Sequence, residues 1–271
     1  MIRHAFTVDV EDWYHGLGEP LEQYRDRKRL DRGINFLLEL LAEHQTKGTF
    51  FWLGKAAEEN PYLLKKVAAA GHEIGCHGWK HEPICDMSPV CFKNDTYHAA
   101  TLIADLIGAK VIAYRAPYFS ITKDSLWALR VLVELGFKYD SSIFPLNKGK
   151  YGIPGFSSSI QTVCTASGSI IEIPISIGKR FGKLIPISGG GFFRLYPYQF
   201  TRANFRHLEQ INCPTIFYIH PWELDSSRPF GKQSLTEYCR NSLGISSTKA
   251  KLRRLLRDFY FGTLEDLIDI R

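Results

Sequence analysis

Ala5-Phe6-Thr7-Val8-Asp9-Val10-Glu11-Asp12 is a short apolar, β-branched run that ends in three acids. Such a run reads as a buried strand whose last residues leave the core. The same pattern recurs along the chain. His72–Cys76 precedes His77, Lys110–Tyr114 precedes Arg115, Phe137–Asp140 ends in an acid, and Thr215–Ile219 precedes His220. Between these runs, Leu30–His44, Pro61–Ala70, Asn94–Ile107, Thr122–Leu135 and Pro197–Gln210 carry helical periodicity or helix-terminating glycines. Gly48–Trp52 and Ile170–Ile173 read as further strands. Alternation of strand and helix predicts an α/β fold with parallel strands and helices outside. In a parallel barrel the C-terminal strand ends converge on one face, which is where the polar groups fall here.

The 271 residues, 45% hydrophobic and 13% aromatic, suffice for one sizeable core. We therefore expect a single domain over 1–271, with an irregular insertion at about 145–195 and a basic C-terminal helix at about 247–259. The net charge of +6 is modest and comes without zinc-finger or RNP-type spacing, so a nucleic-acid partner is not expected. In the C-terminal helix, Leu252, Leu255, Leu256 and Phe259 form an apolar stripe, and Lys249, Lys251, Arg253, Arg254 and Arg257 a basic face. A solvated face is the plain reading; contact with a membrane surface or an anionic glycan is the alternative. No apolar run reaches the ~18 residues of a transmembrane span. The six cysteines (Cys76, Cys85, Cys91, Cys164, Cys213, Cys239) form no CxxC pair. No signal-peptide pattern opens the chain, so a reduced, cytoplasmic protein is expected.

The polar residues carry a definite chemistry. His77 and His81 are spaced i, i+4, and with a carboxylate they suit a catalytic zinc site or a related divalent metal. Gly75, Gly78 and Pro83 disfavour a regular helix there, so a loop is expected to hold the pair. Asp9, Glu11 and Asp12 crowd three acids together, a repulsion that a cation or an arginine relieves. Arg115 can hold an acid bidentately. Asp140 can fix the tautomer of His220. The glycine run Ser188–Gly191 lacks the lysine and Ser/Thr of a phosphate loop and reads as a turn, with Arg194 beside a substrate groove. Trp79, Trp222 and Phe192 suit either sugar stacking or packing.

As a set, Asp9-Val-Glu-Asp12, His77-x-x-x-His81, Arg115-Ala-Pro-Tyr118, Asp140 and Ile219-His-Pro-Trp-Glu223 resemble the polysaccharide deacetylases, the NodB-homology domain of carbohydrate esterase family 4. Gly48-Thr-Phe-Phe-Trp-Leu-Gly54, Gly71-His-Glu-Ile-Gly75 and Gly136-Phe-Lys-Tyr-Asp-Ser-Ser142 add to the likeness, which runs from Ala5 to about Glu223. Ser188-Gly-Gly-Gly-Phe-Phe-Arg194 and the Leu-Arg-Arg-Leu-Leu tail at 252–256 are similar to the branch found in bacterial exopolysaccharide loci.

The resemblance implies a distorted (β/α)7 barrel. It implies Asp9 as general base, His77 and His81 as metal ligands, Arg115 orienting Asp9, Tyr118 offering its backbone N–H to an oxyanion, and His220 as general acid supported by Asp140. For the third ligand it points to Asp12, whose shorter carboxylate matches the family's usual residue, with Glu11, which strand alternation places with Asp9, as the alternative. The implied activity is metal-dependent removal of acetyl groups from an N-acetylated sugar of a surface polysaccharide or its precursor. An amidohydrolase of the same fold acting on a small molecule, and a glycan-binding protein without activity, are the competing readings.

Overall fold

The computed structural model describes residues 2–12, 14–15, 27–147, 149–180, 182–225 and 242–268. Contacts group the chain into two compact units, Met1–Gly48 with Pro186–Arg271, and Thr49–Ile185.

The first unit is built on strand β1 (Arg3–Val10), seven of whose eight residues are buried. Strand β10 (Ile216–Ile219) pairs parallel to β1 with Val8 opposite Ile219, and β11 (Tyr260–Gly262) pairs parallel on the other edge with Arg3 opposite Tyr260. A parallel strand with packed elements over both faces is buried on both, which explains its continuous rather than alternating apolar pattern. Beside it, Phe205, Phe217, Phe259 and Phe261 pack mutually with ring centroids 5.0–6.5 Å apart. His4 sits among these rings, 5.3 Å from Phe205, and accepts the Thr215 N–H at Nδ1 over 2.9 Å. Burial holds its pKa down at about 4, against the partly opposing pull of Glu209. Helix α1 (Arg27–Glu43) crosses Pro221 so closely that a Cβ on Gly33 would lie 2.4 Å from the Pro221 carbonyl oxygen. The glycine run has a similar cause. Ser188 bonds to the β10 backbone, and a Cβ on Gly189, at φ 148°, would sit 1.9 Å from the Tyr218 oxygen.

The basic helix α6 (Ile245–Asp258) buries Leu252, Leu255 and Leu256, as its stripe predicts. Its cations are engaged within the unit. Lys249 and Arg253 lie over the Phe36 ring, Arg254 over Tyr198, and Lys251 donates to the carbonyls of Phe193, Arg194 and Tyr196.

The second unit carries parallel strands β2 (Thr49–Trp52), β3 (Glu73–Cys76), β4 (Ala113–Tyr114), β5 (Tyr139–Asp140) and β7 (Gly168–Glu172), in that spatial order, with β6 (Gln161–Thr165) antiparallel on β7. Helices α2 (Gly54–Glu59), α3 (Pro61–Ala69), α4 (Pro89–Ile107) and α5 (Trp127–Glu134) complete the crossovers. Helix α4 starts five residues before the expected Asn94, because Ser88 caps it through the Cys91 N–H and Pro89 fits the first turn. The span expected irregular, 145–195, contains β6, β7 and a second hairpin, β8 (Ile177–Arg180) with β9 (Lys183–Pro186). Among the described residues no helix is long and apolar enough to cross a membrane. Five cysteines are free thiols, and Cys239 lies outside the described residues.

Candidate active-site residues

In the second unit one row of residues sets the geometry. Cys76, Tyr114, Asp140 and Glu172 are register partners across β3, β4, β5 and β7. The ladder continues one step past them: Arg115 N–H donates to Cys76 O, Ser141 N–H to Tyr114 O and Ile173 N–H to Asp140 O. His77, Arg115 and Ser141 therefore emerge together at the C-terminal strand ends. Arg115 is fully buried, with its guanidinium 4.3 Å from the Phe51 ring centroid and its Nη2 donating to Ser141 Oγ over 2.9 Å.

His77 is buried and its Nδ1 lies 2.7 Å from the Arg115 carbonyl oxygen. A carbonyl only accepts, so Nδ1 carries the proton and Nε2 is the unprotonated nitrogen. That is how a histidine metal ligand is normally prepared. His81, in left-handed backbone at φ 64°, places its ring centroid 5.5 Å from that of His77 and 4.3 Å from Tyr118. Loop and turn hold the pair as expected. Tyr118 and Phe119 are themselves left-handed, at φ 59° and 55°, a conformation that non-glycine residues adopt only when their surroundings impose it. These two buried imidazoles fit a divalent cation.

Asp140 is fully buried and bonded to Ser142, through Oγ at 2.5 Å and the backbone N–H at 3.2 Å. Trp79 stacks on His98 at 3.9 Å, so its ring packs on α4. Burial pushes the Cys76 thiol up to about 12, leaving a protonated, unreactive packing group.

The first unit gathers a second set. The parallel pairing of β1 with β10 brings the residues after Val8 and after Ile219 together. His220 Nε2 lies 3.5 Å from Glu11 Oε1 and 4.0 Å from Asp9 Oδ2. The strand ends at Val10, and the Glu11 N–H closes a three-residue turn on the Asp9 carbonyl at 3.0 Å, yet Glu11 still shares a side with Asp9. Asp12 is buried, its N–H donating to His15 Nδ1 at 2.8 Å.

His220 has a partner that the sequence reading did not assign. Its Nδ1 is 2.6 Å from Glu223 Oε1, which also accepts the His220 backbone N–H. Glu223 Oε2 in turn accepts from Arg194 Nε, and Arg194 Nη1 donates to Leu243 O at 2.9 Å. The support of His220 is thus Glu223, where the reading placed Asp140, and the reason is local: the Pro221–Leu224 turn folds residue i+3 back onto the imidazole. Arg194, expected beside substrate, is buried behind Glu223. Burial alone would lower the His220 pKa, but the bond to Glu223 and the charges of Glu223, Glu11 and Asp9 outweigh it and raise it to about 9. Trp222 stacks on His220 at 5.4 Å, with Arg194 over its ring.

Two family models match the chain: "Polysaccharide deacetylase" over residues 31–139 and a domain of unknown function, DUF3473, over 141–269. A peptidoglycan deacetylase of Helicobacter pylori is 30% identical over 145 residues, 51% of this chain and 48% of its own length. The chain thus spans about half of that relative. Among solved structures, a putative polysaccharide deacetylase from Mycobacterium smegmatis superposes with a TM-score of 0.67 at 19% identity, covering 99% of this chain and 90% of that one. A family 4 pseudoenzyme from Bacillus anthracis gives 0.51 at 14% identity, over 99% and 66%. The fold is the NodB-like (β/α)7 class that the motifs implied. Residues 31–139 are thus similar to the polysaccharide deacetylases, the family that the motifs resemble.

Proposed function

We propose that this protein is a metal-dependent N-deacetylase that removes acetyl groups from an N-acetylated amino sugar of a bacterial surface polysaccharide or its precursor. The observation that carries this reading is the different preparation of its histidines. His77 has Nδ1 tied to a carbonyl oxygen, as a ligand requires, and His220 has Nδ1 tied to a carboxylate, as a proton donor requires.

His77 and His81 hold the metal, zinc first among the divalent candidates. Of the two acids considered as third ligand, Glu11 is favoured over Asp12, because it turns to the side of Asp9 and His220. The bound metal supplies Lewis-acid polarisation of the acetamide carbonyl. Asp9, oriented by Arg115, takes a proton from the attacking water. The backbone N–H of Tyr118 steadies the oxyanion. His220, held by Glu223, gives its proton to the departing nitrogen, so acetamide and water become acetate and a free amine. Trp222 offers a ring for the sugar to stack on.

Acetate release from N-acetylated sugars, nucleotide-linked precursors and oligosaccharides, measured before and after chelation and metal return, tests this. Turnover that survives complete metal removal refutes the metal step. The occurrence of a pseudoenzyme with this fold gives the non-catalytic glycan-binding reading its one support, and that reading requires sugar binding with no acetate released.

A further inference from the structure

Outside the groups given a chemical role above, the second unit buries one more acid. Glu172 is the β7 register partner of Asp140, and neither is exposed to solvent. Its Oε1 accepts the Ile143 N–H at 3.1 Å, while its buried Oε2 meets no donor among the described residues. Asp140 has both its oxygens occupied as acceptors by Ser142. Two buried carboxylates on register-paired residues repel each other, and one shared proton removes the repulsion and turns Glu172 Oε2 into a donor.

The same network reaches the proposed ligand through one peptide bond. Ser142 Oγ donates to Asp140 and accepts the Ala116 N–H at 2.7 Å. The carbonyl of that same peptide unit, Arg115 C=O, is the partner of His77 Nδ1 at 2.7 Å. Asp140 therefore sets the plane of the peptide that fixes the His77 tautomer.

We propose that Glu172 is carried as a neutral acid donating Oε2–H to Asp140, and that the pair is a positioning element for His77. Burial, with the charge of Asp140, raises Glu172 well above the ordinary carboxylate range, and burial raises Asp140 as well. Arg115 is the cation near both and pulls the other way. Asp140 accepts two Ser142 bonds and Glu172 accepts only one backbone N–H, so Glu172 is the member that keeps the proton.

The bearing of this on catalysis rests on the deacetylase reading, but the protonation and the positioning do not. Infrared spectra of the full-length wild type at pH 7.5 should show a protonated-carboxyl band that Glu172→Gln removes. Ring 15N spectra of the metal-free protein should show His77 as the Nδ1–H tautomer in wild type and in Glu172→Gln, which keeps the donor. They should show a resolvable Nε2–H fraction in Glu172→Ala. Acetate turnover should then stay within about threefold in Glu172→Gln and fall about 10–100-fold in Glu172→Ala, as for other groups that support a ligand. A wild type without the band overturns the neutral acid. A His77 tautomer unmoved in folded Glu172→Ala, or moved equally in Glu172→Gln, overturns the positioning role. If wild type releases no acetate from any substrate, the deacetylase reading fails, and the two spectra still decide this proposal.

Discussion

His220 in the first unit and His77 in the second are both fixed through Nδ1, but by different acceptors. His220 meets Glu223, a buried carboxylate backed by Arg194; His77 meets a neutral backbone carbonyl. Both contacts set a tautomer and a ring orientation. Only the carboxylate adds a charge, and a charge favours the imidazolium. An imidazole with an anionic partner carries a proton near neutral pH that it can deliver to a leaving group, whereas one with a neutral carbonyl partner at Nδ1 keeps Nε2 unprotonated, the form that a cation needs. The supports differ because the local backbone differs. Pro221–Leu224 is a tight turn that returns a side chain to His220, while His77 stands at a strand end where the neighbouring strand offers only main chain.

The comparison is most easily broken at the acids. Asp9→Asn should lower turnover about 10²–10⁴-fold with metal content unchanged, the range expected for loss of a general base; a parallel loss of metal would make Asp9 a ligand instead. Glu11→Gln should weaken zinc binding measured by calorimetry far more than Asp12→Asn, and the reverse order would restore Asp12 as the ligand. Glu223→Gln keeps the shape of the His220 contact but leaves Arg194, with a side chain 2% exposed, without its counter-charge. Chemical denaturation should show a loss of about 3–5 kcal/mol. A change under 1 kcal/mol would mean that Arg194 is otherwise neutralised.

A smaller effect separates a structural histidine from the two working ones. His4 is charged more readily unfolded, near pH 6.5, than folded, near 4. Its contribution is therefore complete above pH 6.5 and is lost as pH falls from there through 4, at most about 3 kcal/mol. His4→Gln should flatten that part of the stability profile, and an unchanged acid slope would remove His4 as a cause.

The fold was legible because a parallel strand buried on both faces is apolar throughout, and because polar residues begin where such strands stop. His77, His81 and Asp9 could be found that way. Glu223 has a local signal in His-Pro-x-Glu, where proline opens a tight turn that brings residue i+3 back to the imidazole. The pairing of Asp140 with Glu172 depends on register between β5 and β7, 32 residues apart, and Arg194 depends on where a short helix docks. Neither leaves a periodic trace. Hairpin β8–β9 was missed because its residues are half-exposed and alternate weakly.

In the proposed mechanism one histidine set binds and the other donates. Metal content and acetate release measured together on His77→Ala and His220→Ala test it most directly. We predict that His77→Ala loses both, and that His220→Ala keeps its metal and loses turnover. Full turnover in metal-free His77→Ala, or loss of metal with His220, would contradict it.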